Sequence, residues 1–218
     1  TQPPTPTPTT MPTPKPTANV DMISQIVNEG RKSKDPFFLR YSQEAGDRDD
    51  CSTQVFSFYS IKGDKNPLLG SEHETCESYY LTLLKHQKSF MKQGGAVQST
   101  VPRDIAKGID PVPDNWQSTT QFGDMVIWME NPKYDSDKRL ITKRDDAAWH
   151  IGLCSGNGQM IDRGQWEENN PNGYEEGLFV RGLDTIKSSY KLIMIIKPSD
   201  EARLTPDEIY EYLQNQTK

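Results

Sequence analysis

Three residues in this chain have the types and settings that nucleophilic catalysis requires: Cys51, His150 and Asp162. Cys51 stands in Asp50-Cys51-Ser52, between a polar loop (Ser42 to Asp50) and a segment, Cys51 to Tyr59, whose Val55, Phe56 and Tyr59 share one helical face. A cysteine opening a helix meets unpaired backbone N–H groups and the positive end of the helix dipole, which favour the thiolate over the thiol. His150 lies in Ala148-Trp149-His150-Ile151-Gly152-Leu153-Cys154, where strand alternation sets it on the face opposite Ile151 and Leu153. Gly152 beside it leaves room for another group to approach. Ser155-Gly156-Asn157-Gly158 is a good hairpin connection, and the returning strand brings Asp162 alongside His150. The result is a nucleophile, a general base and an orienting carboxylate.

The elements that must position these groups follow from periodicity. Val20, Ile23, Ile26 and Val27 predict a first amphipathic helix, capped by Asn19 or Asp21 and ended by Gly30. Pro36 to Tyr41 reads as extended. A further helix covers Glu74 to Lys92, with Tyr80, Leu83, Leu84, Phe90 and Met91 as its apolar stripe. Residues 95 to 120 carry Pro102, Pro111 and Pro113 and read as irregular, with one turn near Arg103 to Lys107. Short apolar runs then follow at Phe122 to Met129, Ala148 to Cys154, Gln159 to Arg163, Leu178 to Arg181 and Tyr190 to Lys197, separated by turn residues. Thr205-Pro206-Asp207-Glu208 is a capping box that opens a closing helix with Ile209, Tyr212 and Leu213. Helices followed by an antiparallel sheet make an α+β domain.

Composition narrows the class. Thr1 to Thr17 holds seven Pro and seven Thr, which cannot bury a face, so residues 1 to 20 are expected to form a disordered, solvated tether. Residues 21 to 198 form the domain proper and 199 to 218 the closing helix. The formal net charge is -6 and basic clusters such as Arg31-Lys32-Ser33-Lys34 and Lys138-Arg139 read as exposed loops, which argues against nucleic acid as a partner. The longest wholly aliphatic run, Leu192 to Ile196, is far short of a membrane span. The tether points to an exported protein, secreted or held at the cell surface or wall.

The remaining polar residues offer weaker alternatives. Cys76 and Cys154 could pair and leave Cys51 as the single free thiol, or Cys154 could line the site from the strand face of His150. His73, Cys76 and His86 have a possible zinc half-site spacing without a fourth ligand, and Asp47, Asp49 and Asp50 lack the Gly and Glu of a calcium loop. Neither metal nor cofactor is expected. Trp116, Trp128, Trp149 and Trp166 could line a groove or belong to core and rim, with Trp149 and Trp166 nearest the site.

Asp50-Cys51-Ser52, Phe122-Gly123-Asp124-Met125-Val126-Ile127-Trp128, His150-Ile151-Gly152-Leu153, Gly156-Asn157-Gly158 and Met160-Ile161-Asp162 resemble, in order, the motifs of the NlpC/P60 family of papain-like cysteine peptidases. The resemblance covers roughly Pro36 to Pro198. It implies a papain-like core with N-terminal helices on an antiparallel sheet, Cys51 as nucleophile, His150 as base and Asp162 as third member, where the family more often has His, Asn or Gln. Tyr41 stands where the family has an aromatic-Gly-Gly stretch, without the glycines, and Thr53 replaces a usual Gly. Tyr41 and Ser52, with Trp149 and Trp166, are candidates for the substrate side. The long interval between Cys51 and His150 makes residues 60 to 120 and 131 to 147 read as insertions. The family hydrolyses peptide bonds in bacterial cell-wall stem peptides, which makes peptidoglycan peptide the implied substrate. The alternative is a non-catalytic or host-directed module of the same type, its cleft turned to binding or protein modification.

Overall fold

The computed structural model describes residues 17–44, 49–69, 75–141, 148–166 and 175–217. The Thr/Pro tract up to residue 16 lies outside them. Among the described residues seven strands form one sheet in the order β2-β1-β7-β3-β4-β5-β6. These are β1 (Ala96–Ser99), β2 (Asp110–Pro111), β3 (Met125–Glu130), β4 (Trp149–Gly156), β5 (Gln159–Trp166), β6 (Glu175–Gly182) and β7 (Tyr190–Lys197). Neighbours run antiparallel except β1 and β2, which are parallel, so the sheet is mixed rather than purely antiparallel.

Among the described residues seven α-helices accompany the sheet: α1 (Val20–Lys32), α2 (Pro36–Leu39), α3 (Cys51–Ser60), α4 (Cys76–Lys92), α5 (Pro102–Ala106), α6 (Trp116–Thr119) and α7 (Pro206–Gln216). The α+β class therefore holds. Residues 95 to 120 are not irregular: they supply β1, β2, α5 and α6, and β1 pairs with β7 from Ala96↔Lys197 to Ser99↔Met194. A four-residue strand carrying Gln and Ser has too short an apolar pattern to read without its partner. Pro36 to Leu39 is a helical turn, not extended, because Asp35 caps it by accepting from the Phe37 N–H and Pro36 sits at its first position.

Strand alternation divides the core. Met125, Ile127 and Met129 of β3, with Ile151, Leu153 and Ile161, face the cluster that contains Val27, Val55, Phe58, Tyr79 and Leu213 from the helices. Val126, Trp128, Cys154, Met160 and Ile195 face a second cluster closed by Leu183. Central strands covered on both faces read as continuous apolar runs, which is how β3, β4 and β7 stood out in sequence.

Gly30 does not end α1. It lies in the last full turns, buried, where an added Cβ would come within 2.2 Å of the Phe38 ring. Beyond it, Arg31 is not a loop residue: its guanidinium donates to the carbonyls of Glu176 (3.0 Å) and Leu178 (3.3 Å) and pairs with Glu175. This fastens α1 and α2 to β6. Gly123, with φ 86, opens β3, and its carbonyl accepts from the Tyr59 hydroxyl of α3. Asp124, wholly buried, accepts from the Gln121 N–H (2.9 Å) and pairs with Arg203. Helix α3 is thereby keyed to the start of the central strand.

Gly177 is the tightest point of the α2–β6 contact. It has φ 116, and a Cβ would lie 2.2 Å from the Phe38 carbonyl oxygen. Gly177→Ala is expected to cost about 2–3 kcal/mol by combining left-handed strain with a backbone clash. Urea or thermal unfolding checks it; a variant within 0.5 kcal/mol of the parent, roughly the scatter of neutral surface changes, would contradict the packing described.

Candidate active site

The helix that carries Cys51 begins as the sequence predicts. Asp50 is the N-cap, and its Oδ1 accepts from the N–H groups of Ser52 (3.0 Å) and Thr53 (3.1 Å). Cys51 follows as the first helical residue, where a backbone N–H has no intrahelical acceptor. Helix α3 packs across β4 and β5. His150 enters near the start of β4, opposite Trp128 of β3. The β4–β5 ladder pairs Leu153 with Ile161 and Cys154 with Met160 as it leads into the Asn157-Gly158 turn, both of whose residues have positive φ. Across the same two strands, His150 Nε2 meets Asp162 Oδ2 at 2.7 Å. That leaves Nδ1 as the nitrogen for the sulfur of Cys51.

All three groups are buried: Cys51 is 5% exposed, His150 9% and Asp162 0%. Burial raises the Asp162 carboxyl, but Arg181 of β6 and His150 outweigh it and hold it down to about 2. Arg181 Nε donates to Asp162 Oδ1 at 3.0 Å and its NH2 group donates to Oδ2. Asp162 is thus shared between a permanent cation and the imidazole. For His150, burial favours the neutral ring, yet the negative charge of Cys51, followed by the bond to Asp162, lifts it to about 9. With Arg181 claiming much of the carboxylate's charge, the sulfur is the imidazolium's principal counter-ion.

The largest influence on Cys51 was not expected from sequence. Its Sγ lies 3.5 Å from Cys76 Sγ, and the hydrogen bond from that thiol lowers Cys51 more than any other cause. Burial opposes it, the charge and hydrogen bond of His150 reinforce it, and the Asp50 carboxylate opposes it; the balance holds Cys51 down to about 6. Cys76 moves the other way, pushed up by burial and by the neighbouring Cys51. One proton therefore resides on Cys76, and the thiolate on Cys51.

Cys76 reaches this place because it is the first residue of α4, capped by Thr75 through a reciprocal Thr75–Ser78 box. Of the two alternatives for Cys76 and Cys154, the disulfide is not formed. All three thiols are free, and Cys154 is wholly buried in the second core cluster, where it does not line the site. Nor is the space at Gly152 open: a Cβ there would lie 2.8 Å from Met160 Sδ. His73 of the supposed zinc spacing, and Asp47 of the acidic turn, lie outside the described residues. Asp49 pairs with Arg163 and Arg40, and among the described residues no group of three or more His, Cys, Asp or Glu is placed to hold a metal ion.

The substrate-side candidates separate. Tyr41 lies against the site: burial raises its hydroxyl, and so do Cys51, Asp50, Tyr190 and Cys76. Ser52 is 1% exposed and donates its hydroxyl to Asp50 Oδ1 at 2.6 Å, so its side chain serves the cap. Trp149 packs against Tyr80 at 5.6 Å between ring centroids and joins the main core. The Trp166 side chain lies outside the described residues. Tyr190, which the sequence reading did not single out, stands edge-on to His150 at 6.5 Å and is pushed up to about 12 by burial, Glu130 and the two thiols. Arg181 was also missed, and Cys76 was considered for zinc or a disulfide but not as the neighbour of Cys51. Alternation along β6 could have suggested Arg181 opposite the Asp162 strand; the Thr75-x-x-Ser78 cap could have set Cys76, like Cys51, at a helix start.

Comparison with protein-family models, with curated proteins and with solved structures found no match. The chemistry of the site therefore rests on its own residues.

The rate of Cys51 alkylation by iodoacetamide is expected to rise through about pH 6, because the thiolate is the reactive form and is lost as pH falls through its pKa. In Cys76→Ala the midpoint moves upward, since the donor to the thiolate is gone. An unchanged midpoint in that variant would contradict the role given to Cys76.

Proposed function

We propose that this chain is a cysteine hydrolase that cleaves peptide bonds in bacterial cell-wall stem peptides, with a core of the papain-like NlpC/P60 type. The observation that carries the reading is the buried chain of contacts from Cys51, at the start of α3, to His150 and on to Asp162. Its support for the substrate class is the ordered resemblance of the motifs around those residues, and for an exported or surface-held location the Thr/Pro-rich tract.

The Cys51 thiolate attacks the carbonyl carbon, and the developing oxyanion is met by the Cys51 backbone N–H. His150, already an imidazolium, gives its proton to the departing amine as the C–N bond breaks and a thioester forms on Cys51. The neutral imidazole then takes a proton from water, which attacks the thioester and releases the acid product and the thiolate. Asp162, fixed by Arg181, keeps the ring turned so that one nitrogen remains directed at the sulfur. Tyr41 and Tyr190 flank the sulfur and imidazole and offer hydroxyls for the substrate backbone.

Incubation with purified peptidoglycan should release new amino termini, detected by mass spectrometry, and Cys51→Ala should abolish the release. Equal release from both proteins would remove the hydrolase reading and leave a binding or protein-modifying module.

The pH dependence has a definite sign. Activity needs the thiolate and the imidazolium together, so it should rise through about 6 as Cys51 ionises and fall through about 9 as His150 loses its proton. An activity still increasing above pH 10 would be inconsistent with an imidazolium acid.

A further inference from the structure

Cys76 has no step to perform in peptide hydrolysis beyond donating to the thiolate, yet its sulfur lies closer to the nucleophile than a structural role requires. The Sγ atoms are 3.5 Å apart, and both cysteines are the first residues of capped helices. A disulfide has an S–S bond of about 2.05 Å, so closure needs the sulfurs to approach by about 1.5 Å. Both residues are 5% exposed, so a small oxidant can reach the pair. Cys154 lies in the other core cluster, on the far face of the sheet strands from the one packed against Cys51 and Cys76.

We propose that Cys51 and Cys76 form a reversible oxidation site, in which peroxide converts the nucleophile to a sulfenic acid and Cys76 resolves it to an intramolecular disulfide. In the first step the Cys51 sulfur attacks one peroxide oxygen, the O–O bond breaks, and hydroxide leaves; the sulfur is oxidised and the peroxide reduced. In the second, Cys76 sulfur attacks the sulfenic sulfur, the S–O bond breaks, and the departing hydroxide takes the Cys76 proton as water. A dithiol reductant reverses the product by two exchange steps and restores both thiols. The thiolate character of Cys51 makes it the sulfur oxidised first, and loss of its negative charge on oxidation removes one of the influences that hold the proton on Cys76. The disulfide takes the nucleophile out of use and also shelters it from irreversible oxidation to the sulfinic and sulfonic acids.

This inference rests on Cys51 being the reactive thiolate of the proposed hydrolase but not on its substrate, and the two can fail separately. The whole protein is treated with a small excess of hydrogen peroxide, the remaining thiols are blocked, and non-reduced peptides are mapped by mass spectrometry. The expected product is a peptide pair linked through Cys51 and Cys76, with alkylation of both lost and then recovered after dithiothreitol. Cys154→Ala should give the same link. In Cys76→Ser, which keeps a hydrogen-bond donor, Cys51 should pass to the sulfinic acid and dithiothreitol should not recover it. Cys51 over-oxidised in the parent protein while Cys76 remains a free thiol would overturn the proposal, as would a link that includes Cys154; the parent's peptide map decides this even if a variant fails to fold. A protein that forms the link but releases peptidoglycan amines no better than Cys51→Ala would instead count against the hydrolase.

Discussion

Two ionisable groups buried side by side keep their charges only where opposite charges and hydrogen bonds offset the loss of water, and that constraint governs the region around Cys51 and His150. Burial opposes both charges, favouring the protonated thiol and the neutral imidazole. Together they are held apart from that fate, with Cys51 lowered and His150 raised. Asp162 could have served as the sole anion for the ring, but its carboxylate is also bound by Arg181 through both oxygens. The consequence is a division of labour: Asp162 sets the orientation of the ring, while the charge of Cys51 is the largest single influence that keeps it protonated.

The fold is arranged around this pair. Helix α3 must present its first residue at the start of β4, and it is held there by Tyr59 on Gly123, by Arg163 on Gln54 and by the apolar stripe of Val55 and Phe58. Arg163 is wholly buried, between Gln54 of the helix, the Phe37 carbonyl and Asp49. A buried guanidinium with all these partners ties the helix, the turn before it and β5 into one unit, and a partner's loss would leave a charge uncompensated. Helix α4, from the long segment between nucleophile and base, adds the second sulfur. A segment that reads as an insertion thus contributes both a sheet strand and a group in contact with the nucleophile.

How much of this was legible in the sequence depended on whether the signal was local. The start of α3, the Asn157-Gly158 turn, the capping box at Thr205 and the apolar strands β3, β4 and β7 each carry their own pattern, and all are found where expected. Asp162 beside His150 followed from a hairpin, the simplest long-range contact there is. Strand β1 was missed because its identity comes from pairing with β7, nearly a hundred residues away, rather than from its four residues. The contact of Cys76 with Cys51 was missed for the same reason: its meaning lies in the neighbour, not in the helix it starts. The basic Arg31 read as solvated because charge patterns do not reveal that three carbonyls await it on β6 and α2. Gly152 shows the limit of reading a glycine as open space, since the methionine that fills it comes from the next strand.

The mutual dependence of the two charges is open to direct measurement by following the His150 imidazole with NMR as pH is raised, in the parent protein and in Cys51→Ala. The account predicts that the parent ring stays protonated through neutrality and titrates near 9, and that the midpoint falls when the sulfur is removed although Asp162 and Arg181 remain. A ring that titrates at the same pH in both proteins, or that is already neutral at pH 7 in the parent, would contradict it.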